Sequence, residues 1–286
     1  MAQGDSRALQ QRRLRAELKR LRESANYTQK TVANELMWST SKIIRIESGA
    51  TAVSSADVRA MLHFYGVTDP AKTDDLLAIT RTKDENAWWD DYRTVYRQQF
   101  LNYLAYEDSA KRIRQFISFV VPGLLQTEEY VRALFEGYQK DEEWVERAIE
   151  VRKRRQQNLM PKQGKHAWFI IDESALQRWV GGPDATRRQF AHLRIMAAQP
   201  NISIRLVPFS LGVHPGMRAS FTILEFASGE DTIVNIESPE TDDIEDNLET
   251  ASKFFEIFTN LEDIATPADE FEAALDAVVD RMRLDN

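Results

Sequence analysis

Residues 28–49, TQKTVANELMWSTSKIIRIESG, constrain the fold more than any other stretch of the chain. Thr28 offers a hydroxyl N-cap for a short helix, Gln29 to Leu36, whose inward face is Val32, Ala33 and Leu36. Ser39 offers a second cap, and Ile43 and Ile46 recur at the spacing of a buried stripe on a helix from about Thr40 to Glu47. Only Met37 and Trp38 are left for the turn. So short a connection makes the two helices cross steeply and at close range, which the small Ala33 permits. Gly49 ends the second helix, and Thr40, Ser41, Ile44 and Arg45 are left on its outer face.

The flanking residues complete a small helical unit. Leu14, Leu18 and Leu21 recur at helical spacing among Arg12, Arg13, Arg15, Lys19, Arg20 and Arg22, which gives an amphipathic first helix with a basic outer face. A further helix begins after Ser54 or Ser55, buries Val58, Met61, Leu62 and Tyr65, and stops at Gly66; another spans Ala71 to Thr82. The formal charge of the whole chain is −8, but it is unevenly distributed. Residues 1–82 hold 13 Lys and Arg against 9 Asp and Glu, a net +4, and residues 83–286 hold 24 against 36, a net −12. Contact with phosphates is therefore confined to one end of the molecule.

Residues 10–67 resemble the helix-turn-helix of the phage-repressor-like regulators of the XRE, or Cro/CI, class. Gln29, Ala33, Ile43, Ile46 and Glu47 before Gly49 all fall in that family's register. The resemblance implies a DNA-binding transcriptional regulator that reads double-stranded DNA with a recognition helix at about 40–47 in the major groove, as a homodimer on two half-sites. Thr40, Ser41, Ile44 and Arg45 match base-facing positions. An arginine there bonds guanine O6 and N7 in bidentate fashion, and Ile44 suits a thymine methyl group. Gln29, by the same resemblance, donates to a phosphate from the start of its helix, with Thr28, Lys30, Ser39 and Lys42 as further phosphate contacts. Glu47 would repel phosphate, and the register pairs it instead with Arg22 as a structural salt bridge. Met37 departs from the family, which places glycine there. A left-handed non-glycine residue costs about 1 kcal/mol, so a differently shaped turn is expected, with Trp38 packed beneath it.

The other two hundred residues read as a second, α+β part. Residues 83–105 lack the Gly, Ser and Pro of a flexible linker and form an ordered helical connector. Its aromatic residues Trp88, Trp89, Tyr92, Tyr96, Phe100 and Tyr103 recur at helical intervals, the pattern of a packing seam rather than of a base-stacking platform. Within residues 106–286, helices are expected at Asp108–Phe119, Thr127–Tyr138, Glu142–Leu159, Ser174–Val180, Pro183–Ala198, Asp242–Leu261 and Pro267–Arg283. The run Arg152 to Arg155 reads as a solvated helix face. AWFIID, ISIRLVPF, MRASFTILEF and TIVNIE are apolar or alternating and read as strands. The fold class is thus mostly α, a five-helix helix-turn-helix domain at 1–82 followed by a larger helix-rich domain containing a small sheet.

Residues 106–260 resemble the domain that follows the helix-turn-helix in actinobacterial regulators of the WhiJ type, through VVPGLLQTEEYVRAL, RKRRQQNL, VGGP and IRLVPFSLGVHPGM. The resemblance implies control by a small BldB-like protein partner, in an antitoxin-like or developmental switch. Sensing of a small molecule by the same domain is the alternative. An enzyme is not expected. The carboxylates Glu237, Glu240, Asp242, Asp243, Glu245, Asp246 and Glu249 invite a metal-assisted nuclease reading, but no lysine or histidine stands among them to complete it, and acidic residues at a helix start are ordinary. His214, in a turn-forming loop, is alone in sequence. With no cysteine and four scattered histidines, neither a metal nor any other cofactor is called for. No apolar run is long enough for a signal peptide or a membrane span, so a cytoplasmic location is expected.

Overall fold

The computed structural model describes residues 7–49, 51, 53–81, 87–161, 164–227, 232–237, 243–245 and 248–282, and the chain divides into two compact units, Met1–Trp88 and Trp89–Asn286.

The first unit packs five helices, α1 (Arg7–Ser24), α2 (Gln29–Glu35), α3 (Thr40–Ser48), α4 (Ser55–Phe64) and α5 (Pro70–Arg81). Thr28, Ser39 and Ser54 cap α2, α3 and α4, each accepting a backbone N–H of the first turn. Three helices end in the same way. Asn26, Met37 and Gly66 take positive φ after α1, α2 and α4, and the next residue donates back to a carbonyl five positions earlier. For α2 the bonds are Met37 N–H to Asn34 O at 3.2 Å and Trp38 N–H to Ala33 O at 2.8 Å. The turn therefore keeps the left-handed geometry that glycine would favour, and Met37 accepts it at φ 54°. Its side chain points into solvent, while Trp38 packs against the core. That core joins Leu14 and Leu18 of α1 to Val32 and Ala33, Ile43 and Ile46, then to Val58, Met61 and Leu62 of α4 and Leu76 and Leu77 of α5.

The second unit is built on a mixed six-stranded sheet. Its strands are β1 (Arg112–Ile117), β2 (His166–Asp172), β3 (Ile202–Val207), β4 (Phe221–Glu225), β5 (Thr232–Ile236) and β6 (Asp243–Glu245), in the order β3-β2-β1-β4-β5-β6. The first three run parallel, as the crossovers through α7 (Glu128–Gly137) with α8 (Glu142–Leu159) and through α9 (Glu173–Leu176) with α10 (Gly182–Ala197) require. The remaining pairings are antiparallel. Helix α11 (Leu248–Ile264) lays Ala251, Phe258 and Leu261 against Phe116, Ile170, Phe221 and Val234, and α12 (Phe271–Met282) packs with α10 on β3.

Two of the expected helices differ here. The helix expected at Asp108–Phe119 is instead the end of α6 (Gln98–Ser109) followed by β1. As a central strand, β1 buries Ile113, Gln115, Phe116 and Ile117 and so lacks the alternation by which a half-exposed strand declares itself. The helix expected from Asp242 begins only at Leu248, because Asp243–Glu245 pairs with β5 as an edge strand.

Polar side chains join the helices behind the sheet. Arg155 of α8 donates from Nε and Nη2 to both oxygens of Glu107 on α6, each at 2.7 Å, and the Tyr103 hydroxyl donates to the same carboxylate at 2.9 Å. Burial pushes the Glu107 carboxyl up, but the Arg155 guanidinium outweighs it and holds the group below the usual carboxylate range. Lys165 closes the end of α6, donating to the carbonyls of Glu107 and Asp108 at 2.7 and 2.6 Å. The basic run of α8 is therefore not one solvated face: Arg155 is buried, Arg152 donates to Gln126, and Lys153 pairs with Glu128. Tyr96 packs on Phe100 and Trp144, with ring centroids 4.5 and 5.4 Å apart, as an aromatic seam does.

Candidate nucleic-acid interface

Helix α3 presents two chemically distinct faces. Ile43 and Ile46 are fully buried, while Thr40, Ser41, Ile44 and Arg45 are exposed together on the opposite side. Arg45 makes no ion pair among the described residues, so its five N–H donors face solvent. Ile44 is 46% exposed, unusual for an isoleucine on a short helix with a full hydrophobic seam behind it.

A hydrogen-bond network centred on the Arg22–Glu47 ion pair fixes α3 against the first two helices. Arg22 of α1 donates from Nε and Nη2 to Glu47 at 2.7 and 3.0 Å, and from Nη1 to the carbonyl of Tyr27 at 2.9 Å. The two side chains of this pair are 9% and 4% exposed, and the hydrogen bond to Glu47 raises the Arg22 pKa further. Gln29 adds a third member, donating from Nε2 to Glu47 at 2.8 Å. Sequence alone suggests a phosphate for Gln29, and its bond to Glu47, 18 residues away, forms only once α2 and α3 have crossed. The remaining amide hydrogen and the carbonyl of Gln29 are held in a fixed direction at the first turn of α2. Tyr65, whose hydroxyl is buried without a partner among the described residues, is pushed well up by burial and by the Glu47 charge.

Lys42 differs most from expectation. Its sequence position suggests a phosphate contact; instead its ammonium lies 2.6 Å from Asp57 on α4 and 3.7 Å from the centroid of the Trp38 ring. Burial raises the Asp57 pKa, but Lys42 and the hydrogen bonds from Ser54 outweigh it and hold the group low. Lys42 therefore clamps α3 to α4, and a phosphate would have to compete with a carboxylate for it. Sequence spacing gave no sign of this contact, although Asp57 sits where a first-turn acid is expected. Ser39 accepts from the Lys42 N–H at 3.2 Å and Thr28 from the Thr31 N–H at 3.1 Å. Accepting a bond leaves the Ser39 hydroxyl hydrogen available to an anion. Lys30 is exposed and makes no ion pair among the described residues.

Of the seven carboxylates suggested for metal chemistry, only Glu237 and Glu249 have described side chains. Glu240, Asp242 and Asp246 lie outside the described residues, Glu249 bonds Lys253 at 2.7 Å, and no group of three or more His, Asp or Glu among the described residues is placed to hold a metal. His214 does have a partner that the sequence concealed: its Nε2 donates to Asp172 at 2.9 Å. No described helix is long and apolar enough to cross a membrane.

Two protein families match the chain. Residues 13–76 match a helix-turn-helix domain, and residues 100–276 match a domain of unknown function, DUF5753. No curated protein and no solved structure matches it.

Proposed function

From a chain that belongs to the DUF5753 family and carries a helix-turn-helix domain at its N terminus, we infer a sequence-specific DNA-binding transcriptional regulator. One observation carries this: the exposed face of α3 gathers Thr40, Ser41, Ile44 and the unpaired Arg45 on a helix braced from behind by Arg22 and Glu47. In this reading Arg45 reads guanine and Ile44 a thymine methyl, with Thr40 and Ser41 alongside. Gln29, Lys30, Thr28 and Ser39 meet the phosphates, whereas Lys42 serves chiefly to hold α3 in place. The division of charge supports the same reading, since residues 1–82 are net basic and the remainder is net acidic. Action in the cytoplasm as a homodimer on two half-sites belongs to this reading.

For the remainder of the chain the reading is regulatory. The WhiJ-like sequence features favour control by a small BldB-like protein over a small-molecule signal, and so does the exposure of Phe209, Val213 and Met217 in one loop of the second unit. The test is selection of bound sequences from a random duplex library, followed by footprinting on the promoter next to its own gene with and without a small BldB-like protein. Enrichment of a sequence with two half-sites one helical turn apart is expected; enrichment of no sequence would refute the reading.

A further inference from the structure

Trp144, Ala148, Arg152 and Arg155 recur at helical spacing and so line one face of α8. That face meets the chain around Tyr96 and the turn at Gly123. Arg155 is satisfied there, since it holds both oxygens of Glu107. Arg152 is not. Its Nε donates to Gln126 at 3.1 Å, but its two terminal nitrogens have no hydrogen-bond or ion-pair partner among the described residues. Gln126 is itself fixed, donating to the Val121 carbonyl at 2.8 Å and accepting at its own carbonyl from Gln156 at 2.7 Å, so the Arg152 guanidinium is held in one direction.

The two guanidinium groups crowd each other. A Cβ on Gly123 would lie 3.2 Å from Cζ and Nε of Arg152 and 3.2 Å from Nη1 of Arg155, so a side chain at this turn would displace one of them. Glu107 is the one carboxylate between them and is already engaged by Arg155, which leaves two guanidinium groups against one carboxylate, a net +1. The carboxylates nearby on α8 are taken: Glu146 pairs with Arg132, and Glu150 pairs with Arg147 and accepts from Tyr92. Burial and the Arg155 charge together hold the Arg152 pKa down to about 10. Arg152 is nevertheless only half-buried, and its terminal nitrogens are not closed off from solvent.

A second orphan stands beside it. The Tyr96 hydroxyl is buried without a partner among the described residues, and no charge acts on it more strongly than that of Arg152. The Arg152 guanidinium lies 5.8 Å from the Phe135 ring, Phe135 lies 4.6 Å from Trp144, and Trp144 lies 5.4 Å from Tyr96. These half-buried rings make an apolar wall that leads to the cation. One acceptor placed between the guanidinium and the phenol would satisfy both. The net +1 matches a single negative charge, and the aromatic wall suits an apolar body. We propose that this recess between α7, α8 and the Tyr96 segment binds a small monocarboxylate, its carboxylate accepting from Arg152 and from the Tyr96 hydroxyl and its apolar body resting on Phe135 and Trp144. A phosphate dianion would bring one charge too many. The site belongs to the second unit alone: it is independent of the DNA reading and holds whether or not that unit also takes a protein partner.

The test is titration calorimetry of the full chain with sodium benzoate at fixed ionic strength, beside benzamide and inorganic phosphate. Benzoate should bind saturably, and benzamide, which keeps the shape without the charge, at least about tenfold more weakly. Phosphate should also bind more weakly than benzoate. Tyr96→Phe removes one neutral hydrogen bond and should weaken benzoate about five- to tenfold, whereas Arg152→Gln should abolish saturable binding. Without benzoate both variants should melt no lower than the wild type, because each removes a group that has no partner; an arginine with a purely structural role would lower the Tm when replaced. Absence of saturable benzoate binding by the wild type, equal affinity for benzamide, tighter binding of phosphate, unchanged binding by Arg152→Gln, or a lower Tm of that variant without benzoate would each overturn the proposal.

Discussion

Replacing Glu47 by glutamine tests whether the carboxylate braces α3 or touches DNA. The substitution preserves shape but removes the charge, leaving Arg22 in a site where the two side chains are only 9% and 4% exposed. One amide oxygen then replaces two carboxylate oxygens at 2.7 and 3.0 Å, and Gln29 loses its charged acceptor. Breaking a buried pair costs about 3–5 kcal/mol, and an isostere that keeps one hydrogen bond belongs at the lower end. At about 3 kcal/mol, the slowest-exchanging amides of α3 should exchange roughly a hundredfold faster, read by hydrogen exchange of the full chain. Gln29→Ala removes a single bond to the same carboxylate and should cost about 1.5 kcal/mol. Unchanged exchange in Glu47→Gln, accompanied by altered DNA binding, would refute the brace.

Three further outcomes follow from the geometry. Met37→Gly relieves a left-handed backbone at φ 54° without losing packing, because the side chain is 92% exposed, and should stabilise the first unit by at most about 0.5 kcal/mol net of the chain entropy of glycine; slower exchange across α2 and α3 checks this. Glu107→Gln should destabilise the second unit by about 3–5 kcal/mol, seen as faster exchange in α6 and α8, while the amides of α3 stay unchanged. Acid should weaken the first unit through Glu17, whose pKa is held down to about 2 chiefly by the hydrogen bond from Arg20, with Lys72 assisting against burial. A depressed carboxyl contributes its full stability above its unfolded pKa of about 4.3 and loses it as the pH falls through the folded value. Glu17→Gln should therefore flatten the decline in stability between about pH 4.5 and 2 measured by denaturation, by an amount kept small by solvent exposure.

The first unit was legible because its determinants are local. Thr28, Ser39 and Ser54 announce helix starts within a few residues of the stripes they cap, and Ile43 and Ile46 sit one turn apart. The bonds that tune the interface are not local in that sense. Gln29 meets Glu47 and Lys42 meets Asp57 only after the helices have crossed, and no periodicity encodes such pairs. In the second unit the strands around Phe169, Ile204, Ile223 and Val234 were visible as apolar runs, yet β1 was hidden by burial on both faces and the strand order by the distance between partners. His214 looked like an isolated loop histidine because Asp172 is far away in sequence and reaches it only across the sheet end. Arg155 likewise looked like part of a solvated basic run until Glu107 was brought beneath it.

Base reading by α3 depends on Arg45. It is tested by measuring the affinity of wild type and Arg45→Ala for the selected operator and for that operator changed at each base pair in turn, at fixed salt. The wild type should lose about 1–3 kcal/mol at one guanine position, and Arg45→Ala should bind the operator that much more weakly while no longer distinguishing the base there. Equal weakening of Arg45→Ala on every sequence, with discrimination at all positions intact, would contradict base reading by this helix.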